Sequence, residues 1–303
     1  MPGIEAVKEM VKPPFANYDV VVYFGCGLFA LPFLFHYLGK PAISALNFDF
    51  GLQPPFVASL VSALALLFSV YILGHIIAYA SSQFIEKAMD LYFGKTSSVV
   101  LMAATASSAS LNADFRAQLK GSRERIFTKS AWLSGVGRSV AHLPVWLAYL
   151  AIYLCGVFGF YRTRVTKEVI AAAEKKFKTL PVSGVDIAKD QKWFKSLEAY
   201  VMNNHPVATA RMYNYLVISG LFRSMCLIFL SALWFEFVYT IIRCSGYNCP
   251  PGLLMLGGAT WLDQVKSYSL LTIVYLFSLF SYLKFQRRYV EDAIFAFVFT
   301  KDN

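Results

Sequence analysis

The stretch from Phe56 to Ile85 constrains this chain more than any other: across thirty residues His75 is the only side chain that ionises near neutral pH, and Glu86 and Lys87 close the run. At 1.5 Å rise per residue, a hydrocarbon core of roughly 30 Å takes about 20 such residues, so the run can cross a bilayer with tilt or project beyond it. The segments on either side are therefore read as membrane segments too.

Composition supports this reading. With 57% hydrophobic and 15% charged residues, and a mean hydropathy of +0.52, the chain has too little polar surface for a soluble globule of 303 residues. Aromatic residues reach 17%, which suits interfacial belts where an amphipathic ring sits at headgroup level. A net charge of +10 is read as a topology signal, and nucleic acid is not an expected partner.

Taken in order, the first nineteen residues are short and mixed, and no cleavable leader is expected, because the apolar run after them continues into more membrane segments. Val20 to Leu38 reads as the first span, interrupted by Gly25, Gly27 and Pro32 where neighbouring helices must come close. Residues 56–85 form the second span. A basic segment follows at 86–130, with a small-residue run from Thr96 to Ala113 and a basic amphipathic stretch from Asp114 to Lys129.

Residues 131–161 are apolar again but carry Arg138, His142 and Pro144. The segment after them, 162–211, is the most basic in the chain, so the loops on both sides of 131–161 favour the cytoplasm. One crossing cannot satisfy both. A re-entrant or interfacial hairpin bent near Pro144 can, whereas the alternative of five crossings leaves one basic loop on the wrong side.

Within 162–211, Val165, Val169, Ala173, Phe177 and Leu180 form one helical stripe. A second helix capped at Asp186 places Ile187, Phe194, Leu197 and Val201 on a common face. Together they predict a small helical cytoplasmic layer. Spans at 216–242 and 265–283 complete the membrane part. In the tail, 284–303, Arg287 with Glu291 and Arg288 with Asp292 predict that the helix continues, and the apolar end 293–299 is expected to pack on the layer or on another subunit.

The predicted fold is an all-α polytopic membrane protein with four transmembrane helices, the hairpin and the layer. Both termini are expected in the cytoplasm of a bacterial inner membrane. Cys244 and Cys249, in the loop expected outside, are candidates for a disulfide.

Candidate chemistry gathers on the second span. His75, Tyr79, Ser82 and Glu86, at i, i+4, i+7 and i+11, fall on one face and predict a polar seam directed at protein or water. Arg138 and His142 share a face in the hairpin, and Arg223 lies in the third span, where snorkelling towards the cytoplasmic surface is expected. Glu236 and Arg243 are expected to pair or snorkel near the outer end. Were the chain an enzyme, His75, Ser82, Glu86 and His142 are the residues to carry catalysis, with Ser81 as a second hydroxyl.

The histidines are isolated and no Cys-x-x-Cys is present, so neither a metal nor a cofactor is expected. Gly94-Lys95-Thr96 lacks the earlier glycine of a phosphate loop, since Met89 stands there. Two classes remain: a non-enzymatic channel-like or effector subunit, and a membrane-embedded enzyme acting on lipid. The first is expected to form homo-oligomers in the lipid bilayer, with its basic layer meeting anionic lipids or a cytoplasmic protein partner.

Overall fold

The computed structural model describes residues 19–38, 55–105, 132–155, 163–179, 193–244 and 261–299, nearly all of them helical and none in a strand. Four helices are long and apolar enough to cross a membrane: Val20–Tyr37, Ser59–Ala104, Pro206–Ile242 and Leu262–Phe299.

The first span opens with a π-wound turn, Asp19–Phe24, and continues as α1, Gly25–Leu38. The second is α2, Pro55–Ser81, which runs through a π turn, Ser82–Glu86, into α3, Lys87–Tyr92. The apolar run and the helix therefore end at different places. Sequence hydropathy stops the span at Ile85, but backbone hydrogen bonding needs no apolar side chain, so the helix carries on across the charged residues. After Gly94, whose φ of 81° suits a residue without Cβ, α4 spans Thr96–Thr105.

Two crossings hold the bundle. In the first, α1 and α2 meet backbone to backbone: a Cβ at Gly27 would lie 1.9 Å from the Val70 carbonyl oxygen, and one at Gly74 only 1.7 Å from that of Tyr23. Only glycine fits either position. Close approach of this kind replaces hydrophobic burial, which lipid does not supply between spans. Much of the rest of α2 is bare, with Phe56, Leu60, Leu64, Phe68 and Ile76 exposed, as a helix apolar all round should be at a lipid boundary.

The second crossing joins α9, Pro206–Cys244, to α10, Trp261–Phe299. Each has 39 residues and so runs about 58 Å, nearly twice the hydrocarbon thickness. They lie antiparallel: Arg211 faces Asp292 at 3.7 Å, Phe222 stacks on Phe285, and the Cys226 thiol approaches the Tyr275 carbonyl at 4.0 Å. Their packing rests on side chains, with Leu230, Leu233, Leu271, Tyr275 and Leu279 buried.

The length of α9 and α10 beyond the apolar spans builds a separate helical layer. Helices α7, Lys167–Thr179, and α8, Trp193–Asn204, bury Ile170, Ala173, Phe177, Trp193, Leu197 and Val201 against Ala293, Ile294 and Phe297 of α10, with Val100 and Ala104 of α4 beside them. Ala173, Phe177, Leu197 and Val201 are among the residues that the periodicity of 162–211 predicts, whereas Ile170 and Trp193 are not, and Leu180 and Ile187 lie outside the described residues. In this layer the Tyr289 hydroxyl donates to the Glu198 carboxylate. At the exposed surface, the Thr166 hydroxyl holds the Glu168 carboxyl below its usual value.

Glu291 is buried where the last helix continues past its apolar run. It is 1% exposed, accepts the Thr163 hydroxyl at 3.0 Å and the Arg164 amide at 3.1 Å, and lies 3.8 Å from Arg287 and 3.4 Å from Arg288. The Arg287 to Glu291 pair thus forms, while Arg288 takes Glu291 and leaves Asp292 to Arg211. Helical spacing permits both i+3 and i+4 partners, and the neighbouring helix decides between them.

Residues 132–155 break where Pro144 predicts: α5, Trp132–Ala141, ends at a 3-10 turn, Leu143–Val145, and α6 follows at Trp146–Cys155. Cys244 closes α9, but Cys249, the stretch 114–129 and the start of α8 at Asp186 lie outside the described residues.

Candidate functional site

The residues expected to form one seam divide between two places. The first is an open cleft of about 300 Å³ where three helices meet, lined by Tyr23, His75, Ala78, Tyr79, Ser82 and Arg223. Its position follows from the glycine crossing. Because α1 and α2 touch at Gly27 and Gly74, Tyr23 reaches the next turn of α2, where its ring stacks on His75 with centroids 3.6 Å apart and planes at 23°. Tyr71 meets the same imidazole edge-on at 4.5 Å. The His75 nitrogens make no hydrogen bond to the described residues, so an aromatic sandwich alone fixes the ring.

Arg223 enters the cleft from α9 without snorkelling. It forms an ion pair with Glu86, and its Nε donates to the Ser81 hydroxyl at 3.3 Å. Ser81 in turn lies 3.4 Å from Ser224 and donates to the Ala78 carbonyl at 2.8 Å. The Arg223 side chain is 14% exposed and that of Glu86 is 38% exposed, so the pair sits at a boundary. A charge there is stabilised by its partner and by hydrogen bonds more than by solvent.

The π turn explains why Glu86 can reach Arg223. One extra residue in the winding shifts the register of everything after Ser82 relative to an uninterrupted α-helix, and such turns concentrate at functional positions. Tyr79, the second residue of the expected seam, points out instead and is 70% exposed at the rim. Within the turn, the Gln83 carbonyl accepts from Arg138 Nε at 3.2 Å, which ties α5 to it.

His142 belongs to the second place. It is fully buried, its Nδ1 donates to the Arg138 carbonyl at 2.9 Å, and its Nε2 has no partner among the described residues. Around it stand Tyr92 and Tyr149, with ring centroids 6.2 and 5.9 Å away. The Tyr92 hydroxyl donates to Ser139 at 3.0 Å, and the Tyr149 and Tyr275 hydroxyls bond to each other. The carbonyls freed by the Pro144 break are taken by the long helices, Trp234 Nε1 donating to Ala141 at 2.6 Å and the Tyr268 hydroxyl to Pro144 at 3.0 Å.

Glu236 is a third ionisable group at depth. Only 3% exposed, it accepts the Tyr37 hydroxyl at 3.0 Å, and Tyr239 donates to the Tyr37 carbonyl at 2.9 Å. Its side chain is seated inside the bundle, and the Arg243 side chain expected to pair with it lies outside the described residues.

Chemically, the cleft lining offers one cation, an imidazole and the hydroxyls of Tyr23, Tyr79 and Ser82, with the Glu86 carboxylate paired to the cation beside it. It does not assemble a nucleophile with a base: Ser82 donates to the Tyr79 carbonyl at 2.8 Å, and no histidine hydrogen-bonds a serine among the described residues. Nor do three or more metal-ligating side chains cluster among the described residues. Sequence reasoning missed Tyr23, Ser224 and Gln83. The signal that could have found Tyr23 is the pair of glycines, one in each of the first two apolar runs. Comparisons of the chain with protein-family models, with curated proteins and with solved structures found no match.

Proposed function

We propose that this is a non-enzymatic multi-pass membrane subunit of channel or effector type, in which the Arg223–Glu86 pair couples the spans to the basic layer. The observation that carries this reading is the pair itself: two opposite charges on different long helices, joined at a π turn within reach of an open cleft. Such a contact has two discrete arrangements, closed and parted, and parting it exposes charge at the edge of the membrane. Glu86 continues directly into α3 and, past Gly94, into α4 of the layer, so a shift at the pair is felt there.

The layer end is assigned to the cytoplasm of a bacterial plasma membrane, with both termini on that side. Charge supports this: Lys87, Lys95, Arg164, Lys167, Lys175 and Arg211 lie towards the layer, whereas Lys266 lies towards the opposite end. Residues 131–161 are assigned as a re-entrant hairpin. The 3-10 turn at Leu143–Val145, which separates α5 from α6, supports a bend there. Homo-oligomers and anionic-lipid contacts of the layer complete the proposal.

Membrane potential tests it, read by a dye in cells carrying the wild type, Arg223→Gln, Glu86→Gln or the exchanged pair Glu86→Arg with Arg223→Glu, at equal membrane levels. The wild type is expected to depolarise the cells, each single variant to change that response, and the exchange to restore part of it. The same potential in all strains and in cells without the protein would refute the proposal.

One observation favours the second reading, an enzyme acting on lipid: the histidine-bearing cleft opens beside lipid-facing side chains such as Ile76. Lipid products that accumulate with the wild type and vanish with His75→Ala would establish it.

A further inference from the structure

We infer that the cleft seats the headgroup of an amine-bearing zwitterionic phospholipid drawn from the leaflet on the layer side. The inference rests on the membrane orientation proposed above and is independent of conduction. Arg223 lies seven residues inside Leu216, about 10 Å along the helix from the start of that span, and lines the cleft. Tyr23 and Tyr79 flank that level, as amphipathic rings do at an interface.

The lining divides by polarity in the way a phospholipid does. Inside are the Arg223 guanidinium, the imidazole of His75 with its nitrogens unengaged, and the Ser82 hydroxyl. Outside, Val20, Ile72, Ile76 and Phe84 are exposed and offer an apolar rim for acyl chains. The space, about 300 Å³, is roughly ten times the share of one water molecule.

Charge selects the class of headgroup. Arg223 brings a cation and Glu86, one turn beyond Ser82, brings a carboxylate that is still 38% exposed. A headgroup with only a phosphate leaves that carboxylate facing like charge. One that also carries an ammonium places phosphate towards Arg223 and His75 and the ammonium towards Glu86, satisfying both by charge-assisted hydrogen bonds.

The test is to purify the full chain in a mild detergent and count bound phospholipid by native mass spectrometry, with phosphatidylethanolamine and phosphatidylglycerol as competing probes. The wild type is expected to retain phosphatidylethanolamine in preference to phosphatidylglycerol. His75→Leu and Ser82→Leu, which leave the ion pair in place, are each expected to lower retention by about fivefold, the effect of losing one hydrogen bond of ordinary strength. Both variants are first checked for wild-type elution and lipid-free melting. Should Ser82→Leu fail that check, His75→Leu alone decides. Equal retention by wild type and variants would overturn the inference, and so would phosphatidylglycerol binding as well as phosphatidylethanolamine. Because the count is made without a membrane potential, a protein that retains the lipid yet leaves cells polarised refutes the proposed function and not the lipid site.

Discussion

The two helix crossings solve the same problem by opposite means. Between α1 and α2 the backbones touch, and Gly27 and Gly74 leave no room for a single added carbon. Between α9 and α10 the contact is made along the helices by interlocking side chains, among them Tyr275, Leu233 and Leu279, all without exposed surface. The difference teaches where each pair can carry function. Side-chain packing extends along 39 residues and makes a frame that reaches into the layer, whereas a glycine crossing is local and leaves the flanking turns open. The cleft occupies such a turn.

This contrast is broken most severely by adding volume to the first crossing. Gly74→Val is expected to separate α1 from α2 and destabilise the protein by about 3 kcal/mol or more, because the clash is with the Tyr23 backbone and cannot be relieved by a rotamer change. Loss of the monodisperse peak in detergent gel filtration checks it, and a normal peak would mean the helices do not touch there. Next in size, Glu86→Gln leaves Arg223 without its counter-charge. A cost of about 1–3 kcal/mol is expected, reduced from the fully buried case by the partial exposure of Glu86, with thermal melting as the readout.

Where α9 meets α5, away from both crossings, a loss should be milder. Trp234→Phe keeps a ring but removes the indole N–H that reaches the Ala141 carbonyl, for an expected cost of about 1 kcal/mol and faster amide exchange around Pro144. Smallest of all, Gly25→Ala meets only the Val20 carbonyl oxygen at 3.6 Å and is expected to change the melting behaviour by about 0.5 kcal/mol or less. If Gly25→Ala proves as damaging as Gly74→Val, the two glycines share a cause other than contact with α2, and the contrast fails.

Much of the fold is legible in the order of residues. Apolar length marks four crossings, Pro144 marks the break in residues 132–155, and the stripes through Ala173, Phe177, Leu197 and Val201 mark the layer. Less of the site is legible in that way. His75, Ser82 and Arg223 do line one cleft, with Tyr79 at its exposed rim, but His142 lies in a separate aromatic enclosure. A helical projection ranks residues by face without saying which face meets which neighbour. It also assumes 3.6 residues per turn throughout, and the π turn at Ser82–Glu86 departs from that just where the charged residue sits.

By itself, then, the sequence determined the class of the molecule: the transfer of apolar side chains from water and the fixed rise of a helix are properties of a segment alone, and they require spans wherever about 20 such residues follow one another. Only the tertiary structure decided the pairings of Arg223 with Glu86, Tyr23 with His75 and Tyr37 with Glu236. Each joins residues far apart in the chain, on helices whose relative rotation is fixed by contacts such as Gly27 on Val70 and Gly74 on Tyr23, and no local interaction contains that rotation.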